Sequence, residues 1–195
     1  WSDEAFKWLA VREAHVGIAP AVVMRVSFSG ELAYEIHVPN QSLMAAYTAL
    51  RNAGETHGMS FFGSRAVEAM RLEMGFMHWK SELITEFSPY ETGLERFVMM
   101  DKAFIGKEAL IAHEPKVQLV SLTLETKEAP AHGGASVMLD GRVVGTVTTG
   151  AWGHRVGANI ALAFVERGLA QEGQSLSVDV LGKVVQATVA PIRRL

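Results

Sequence analysis

Cysteine is absent from these 195 residues, which excludes disulfides and thiolate metal sites and fits a reducing compartment such as the cytoplasm. An excess of basic charge is absent too. The net charge of -3 argues against a nucleic-acid partner, because phosphate backbones are bound by clustered Lys and Arg. Arg193-Arg194 is a lone basic pair and reads as solvated surface. No run of about 18 apolar residues occurs, so no membrane-spanning helix is expected. Residues 1–4 carry neither a basic start nor an apolar block, so they do not resemble a signal peptide. Seven histidines are present, but no two stand at i, i+4, and no metal site is expected. Gly145 to Gly150 is followed by Ala151-Trp152 and lacks the Lys and Ser/Thr of a phosphate-binding loop. No G-x-G-x-x-G follows an expected strand, which excludes a visible dinucleotide site in this chain.

What is present describes a folded protein: 49% hydrophobic and 20% charged residues, enough for one sizeable core or two small ones. Ser2 as a cap, Asp3 and Glu4 in a first turn, and Phe6, Leu9 and Ala10 at helical spacing predict a helix ending near Val16-Gly17. Residues 21–27 and 33–38 read as two strands of a hairpin turning at Ser29-Gly30-Glu31. Asn40 is the expected cap of a helix carrying Leu43, Ala46, Tyr47 and Leu50 and closed by Gly54. Ala66, Val67, Met70 and Met74 form the stripe of a further helix from about Ser64, stopped by Gly75. Residues 96–100 look like a strand, and residues 104–110 like a connector entering a short helix.

Beyond Pro115 the texture changes to short strands. Val120, Leu122 and Leu124 alternate with Leu119, Ser121, Thr123 and Glu125, Asp140-Gly141 is a two-residue hairpin signal, residues 160–165 are an apolar run, and Leu181-Gly182 is another turn. The expected architecture is α+β, with residues 1–100 as an α+β piece, 101–116 as a linker and 117–195 as a small antiparallel β-barrel.

Candidate chemistry concentrates on the first hairpin. Glu31 and Glu35, four apart on one strand, would share a face. Phe28 and Gly30 beside them would suit close approach of a flat nitrogen heterocycle, whose amino-pyrimidine edge a carboxylate can accept in two parallel N–H bonds. A plain solvated sheet face is the alternative on spacing alone. Arg65, a cation at a helix start that the dipole disfavours, either pairs with Glu68 or offers a fork to a ligand carboxylate or carbonyl. Arg71 and Glu73 are expected in structural contacts. His78 and Trp79 either cap a pocket or fill a junction, and the methionines at 70, 74, 77, 99 and 100 are expected in core.

These residues also carry a resemblance. The run Phe28-Ser29-Gly30-Glu31 through Tyr34-Glu35-Ile36, the triplet Gly63-Ser64-Arg65, and Arg71-Leu72-Glu73-Met74-Gly75 resemble motifs of the glycine-cleavage T-protein (aminomethyltransferase) family. Residues 101–110 and 141–150 resemble its linker and its C-terminal barrel. Residues 78–83 and 90–97 are similar to a narrower group, the folate-binding C-terminal regions of dimethylglycine and sarcosine dehydrogenases. The resemblance implies the second half of a ferredoxin-like folate-binding domain followed by the barrel. It implies tetrahydrofolate as cofactor, with FAD only if an upstream domain exists, and an amine as substrate. Glu35 inherits a hydrogen bond to the pterin, Arg65 a folate contact, and Phe28, where the family has Tyr, packing without the hydroxyl. Ala66 stands where T-proteins carry Asp. The family's catalytic aspartate lies in the first half of its domain, so the catalytic residue is unknown here. An upstream domain or partner subunit is expected to carry the amine-oxidising site, and little turnover is expected from these residues alone.

Overall fold

In a computed structural model, which describes residues 4–192, the chain divides into two units, Trp1–Val67 and Glu68–Leu195. The first unit is a three-stranded antiparallel sheet, β1 (Val11–Val16), β2 (Ala19–Met24) and β3 (Glu35–His37), in the order β1-β2-β3, with helix α1 (Leu43–Glu55). The helix expected over residues 2–16 is therefore corrected to turns over residues 4–10 followed by the strand β1; its cap Ser2 and Asp3, like Arg193-Arg194, lie outside the described residues. Leu9 sits at φ 62, which no helix interior accepts. Gly17 at φ 60 closes a two-residue turn between the paired Val16 and Ala19, and residues 11–16 gain cross-strand partners no isolated helix would supply.

The β2–β3 hairpin forms, but with a ten-residue connection, 25–34, in place of the turn at 29–31. Glu31 thus lies in a loop and shares no strand face with Glu35. A 3-10 turn, Asn40–Ser42, precedes α1, so Asn40 is not its cap. The core of this unit joins Phe6, Val16, Ala19, Ala21 and Val23 to Ala46 of α1. Tyr34 meets Phe6 edge-on at 5.6 Å.

Helix α2 (Ser64–Glu73) begins where expected, and Gly75 ends it. Gly75 takes φ 69, its N–H reaches the Leu72 carbonyl at 3.0 Å, and the Phe76 N–H reaches that of Arg71 at 2.9 Å, a Schellman arrangement. The buried residues of α2 are Ala69, Arg71, Leu72 and Glu73, not the expected stripe of Ala66, Val67, Met70 and Met74. Residues 95–97 form a 3-10 turn instead of a strand, and Phe97 and Met99 are exposed. An apolar run without a partner strand has no ladder to satisfy its backbone, and the chain turns on itself instead, Val98 bonding back to Glu95.

Two short helices, α3 (Pro89–Thr92) and α4 (Lys107–Ala112), lead to six strands: β4 (Val117–Leu124), β5 (Ser136–Leu139), β6 (Arg142–Gly153), β7 (Ala158–Glu166), β8 (Ser175–Val180) and β9 (Lys183–Ala190). They close into an antiparallel barrel in the order β4-β7-β6-β5-β8-β9. Val120, Leu122 and Leu124 point inward to a core shared with Val137, Val147, Val165, Val178 and Val189. The outer faces of β4 and β7 are covered as well: Leu119, Ile160, Leu162 and Phe164 pack with Leu72 in a second cluster, and Phe87 stacks on Phe164 at 3.6 Å. That double cover explains why β7 is continuously apolar rather than alternating. Among the described residues no helix is long and apolar enough to cross a membrane.

Glu91 ties α3 to the start of the barrel. Its buried carboxylate accepts the Ser88 N–H at 2.9 Å, the Lys116 N–H at 3.3 Å and a hydrogen bond from His113 at 3.0 Å. Burial alone pushes this carboxyl up; the hydrogen bonds from Ser88, His113 and Lys116 outweigh it and hold the group below the ordinary carboxylate value. A carboxylate depressed by folding stabilises fully above its unfolded value, and that contribution is lost as pH falls through the folded one. Urea unfolding from pH 7 to pH 3 is expected to show Glu91→Gln less stable by about 1–2 kcal/mol at neutral pH. The gap should close toward the acid end, and a gap unchanged with pH would count against this account.

Candidate functional site

Strand register sorts the side chains of the first sheet onto two faces. Val11, Met24 and Glu35 are cross-strand neighbours, as are Glu13, Val22 and His37, so these residues share one side with His15 and Pro20. The other side holds Ala19, Ala21 and Val23, all buried, with α1 over the strands. The face that carries Glu35 is open. An apolar strip of Pro20 and Val22 runs along it, with Glu13 and His15 to one side and His37 to the other, bounding a groove of about 440 Å³ that Pro39 also lines.

Glu35 and His37, two apart on β3, meet through Oε2 and Nε2 at 3.2 Å, with 53% and 59% of their side chains exposed. Such an exposed pair adds little to stability, so its interest lies in geometry. The second carboxylate oxygen, Oε1, makes no hydrogen bond among the described residues and remains available to a donor from outside. Arg65 is exposed in the first turn of α2. Its expected alternative partner Glu68 is taken instead by the buried Arg71, at 2.8 Å, and Arg65 makes no ion pair among the described residues. Phe28 lies in the 25–34 connection, 36% exposed. Glu35 and Arg65 do not bond to each other. Glu35 offers an acceptor with a free oxygen, Arg65 a cation without an ion pair among the described residues, and Phe28 a partly exposed ring; none of the three lines the groove.

His37, Glu13 and His15 were not among the expected site residues. The signal for His37 was its i+2 spacing from Glu35 on a strand. Glu13 and His15 were hidden by the helical reading of residues 11–16.

The second unit carries a buried polar cluster. Arg71, fully buried, donates from Nε to Glu68 at 2.9 Å, from Nη1 to the Phe76 carbonyl at 2.8 Å and to Glu82 at 3.4 Å, and from Nη2 to Thr149 at 2.9 Å. Glu82, also fully buried, accepts from the hydroxyls of Thr148 at 2.5 Å and Thr149 at 2.9 Å and from the His78 N–H at 2.7 Å. Glu73 accepts the N–H groups of Arg155 and Val156 at 2.6 and 3.1 Å in the β6–β7 turn. Arg71 and Glu73 thus make the structural contacts expected of them. Trp79 fills no junction: it is 71% exposed and lines a groove of about 540 Å³ with Leu83, Phe87 and Leu94.

Two family models match the chain: the GCVT N-terminal domain over residues 1–102, and the glycine cleavage T-protein C-terminal barrel domain over residues 118–192. Among curated relatives, human mitochondrial dimethylglycine dehydrogenase is 37% identical over 193 residues, covering 96% of this chain and 22% of that protein. The aminomethyltransferase of Saccharopolyspora erythraea is 32% identical over 191 residues, covering 95% of this chain and 52% of that protein. Human mitochondrial sarcosine dehydrogenase is 32% identical, covering 84% of this chain and 18% of that protein. The chain therefore spans from under a fifth to about half of the length of these relatives. Among solved structures, the glycine cleavage system aminomethyltransferase T from Bartonella henselae superposes with a TM-score of 0.83 at 22% identity, over 100% of this chain and 54% of that one; at that identity the likeness shows the fold.

Proposed function

The chain belongs to the glycine cleavage T-protein family, and on that premise we propose that it forms one wall of a tetrahydrofolate site in a protein that transfers a one-carbon unit from a methylated or aminomethyl amine. The observation that carries this reading is Glu35 on the open sheet face, one oxygen on His37 and the other free. Glu35 would accept the paired N–H donors of the pterin's amino-pyrimidine edge, Arg65 would receive a carboxylate or carbonyl, and Phe28 would pack on a ring face. Bound tetrahydrofolate would supply the nucleophilic nitrogen that accepts the carbon. The residues of this chain orient it and leave the reacting nitrogen to a carboxylate from outside residues 1–195.

In this reading residues 1–100 are part of the folate-binding domain, 101–116 the linker, and 117–195 the barrel. The change of texture near Pro115 and the alternating strands beyond it support that division. FAD would belong to an upstream domain or partner subunit that oxidises the amine, and the absence of cysteine supports a reducing compartment such as the cytoplasm.

Tetrahydrofolate affinity of the intact protein is expected to fall about 10- to 100-fold in Glu35→Ala, the effect of losing a charge-assisted bidentate contact. Absence of binding in the unaltered protein, or an unchanged affinity in the variant, would remove the folate reading. Product analysis then separates methylene-folate, expected of aminomethyl transfer, from methyl-folate, expected of a demethylase.

A further inference from the structure

We propose that His37 is the positioning residue of the Glu35 carboxylate, and this rests on the folate reading above. A glutamate on an open face is free to rotate, and ordering it on binding costs side-chain entropy. Pre-orienting it removes part of that cost. His37 is placed to do so. It stands two residues along the same strand, on the same face, with Nε2 at 3.2 Å from Oε2. A carboxylate oxygen only accepts, so Nε2 carries the proton in this pair and Nδ1 is left to the solvent side or to a ligand.

The other titratable groups on this face are Glu13 and His15 of β1. Val22 stands between Glu13 and His37 in the register, and the hydrogen bond to Glu35 is the one His37 makes among the described residues. The bonded oxygen keeps a lone pair, and Oε1 keeps both, so the orienting bond and a bidentate ligand contact coexist on one carboxylate. His37 also lines the neighbouring groove beside Val22 and Pro39.

The test is a double-mutant cycle read by ligand affinity. Tetrahydrofolate and p-aminobenzoylglutamate, which lacks the pterin, are titrated into the unaltered protein, His37→Ala, His37→Gln, Glu35→Gln and the double variant His37→Ala/Glu35→Gln. His37→Ala is expected to weaken tetrahydrofolate about fivefold, to leave p-aminobenzoylglutamate unchanged, and to have no further effect in the Glu35→Gln background. His37→Gln, which keeps a donor, recovers most of the loss. Equal losses in both backgrounds, or equal losses for both ligands, overturn the proposal. A second arm needs no folate: the 15N resonance of His37 Nε2 is expected to move in Glu35→Gln and to stay in Glu13→Gln. An unmoved resonance overturns the pairing, whereas a moved resonance with no folate binding upholds the pair and removes the folate reading alone.

Discussion

Arg71→Met is expected to lower the stability of the barrel unit by about 3–5 kcal/mol, the loss typical when one partner of a buried ion pair is removed. The guanidinium is fully buried and every nitrogen is used: Nε on Glu68, Nη1 on the Phe76 carbonyl and Glu82, Nη2 on Thr149. Methionine fills much of the volume but leaves Glu82 without its cation, fully buried among neutral donors. Hydrogen bonds from two hydroxyls and one amide reduce the cost of that charge and do not cancel it. Glu82→Gln, which keeps the shape and most acceptors, should lose less. Urea denaturation followed by barrel tryptophan fluorescence reads the difference, and a loss below about 1 kcal/mol for Arg71→Met would mean that Glu82 is not held as a buried anion.

Gly150→Ala should destabilise by about 3 kcal/mol, at the upper end of overpacking effects. A Cβ at Gly150 would overlap the Ala131 carbonyl oxygen and stand 3.0 Å from its carbon. The obstacle is backbone, which has no rotamer through which to yield. Gly145 faces the same limit against the Phe164 carbonyl and the Val165 Cα, the latter at 2.9 Å. Neither glycine has positive φ, so the constraint is space and not conformation. Gly141 provides the contrast, with φ 78 and nothing within 4 Å of an added Cβ; Gly141→Ala should cost only about 1 kcal/mol. Thermal unfolding of the three variants checks the ranking, and a Gly150→Ala protein as stable as Gly141→Ala would show that the barrel opens there at no cost. The Gly145–Gly150 motif, useless to a phosphate, is thus a statement about how closely the chain passes itself.

Turns and the strands they join were legible because their chemistry is local. Asp140-Gly141 adopts φ of 51 and 78, and Leu181-Gly182 adopts 55 and 81, the left-handed pair that a two-residue hairpin requires. Alternation in β4 and β8 followed from period alone, whereas the stripe expected of α1 is not its buried face: Leu43, Tyr47 and Leu50 are exposed, and of the four only Ala46 is buried. β1 was not legible, because the apolar spacing of Phe6, Leu9 and Ala10 just ahead of it imitates a helix and only the partner strand beyond Gly17 decides otherwise. Likewise Glu35 could be singled out from its motif, whereas the His37 contact required knowing that residues 35–37 are the strand and that the face they present is open.

The Glu82 cluster marks the limit most clearly. Thr148 and Thr149 are adjacent, and adjacent residues of a regular strand face opposite sides. A bulge between Val147 and Thr149, where Val147 pairs with Ala163 and Thr149 with Leu162, sends both hydroxyls to one carboxylate. The order of amino acids by itself determined the barrel's hairpin turns at Asp140-Gly141 and Leu181-Gly182 and the alternation of β4 and β8, since each depends on neighbours a few residues away. Tertiary structure alone decided that residues 11–16 are a strand, that Arg71 and Glu82 meet across a bulge, and that His37 stands beside a half-free Glu35. Those outcomes depend on pairing register and on which face stays uncovered, quantities set by residues distant in the chain.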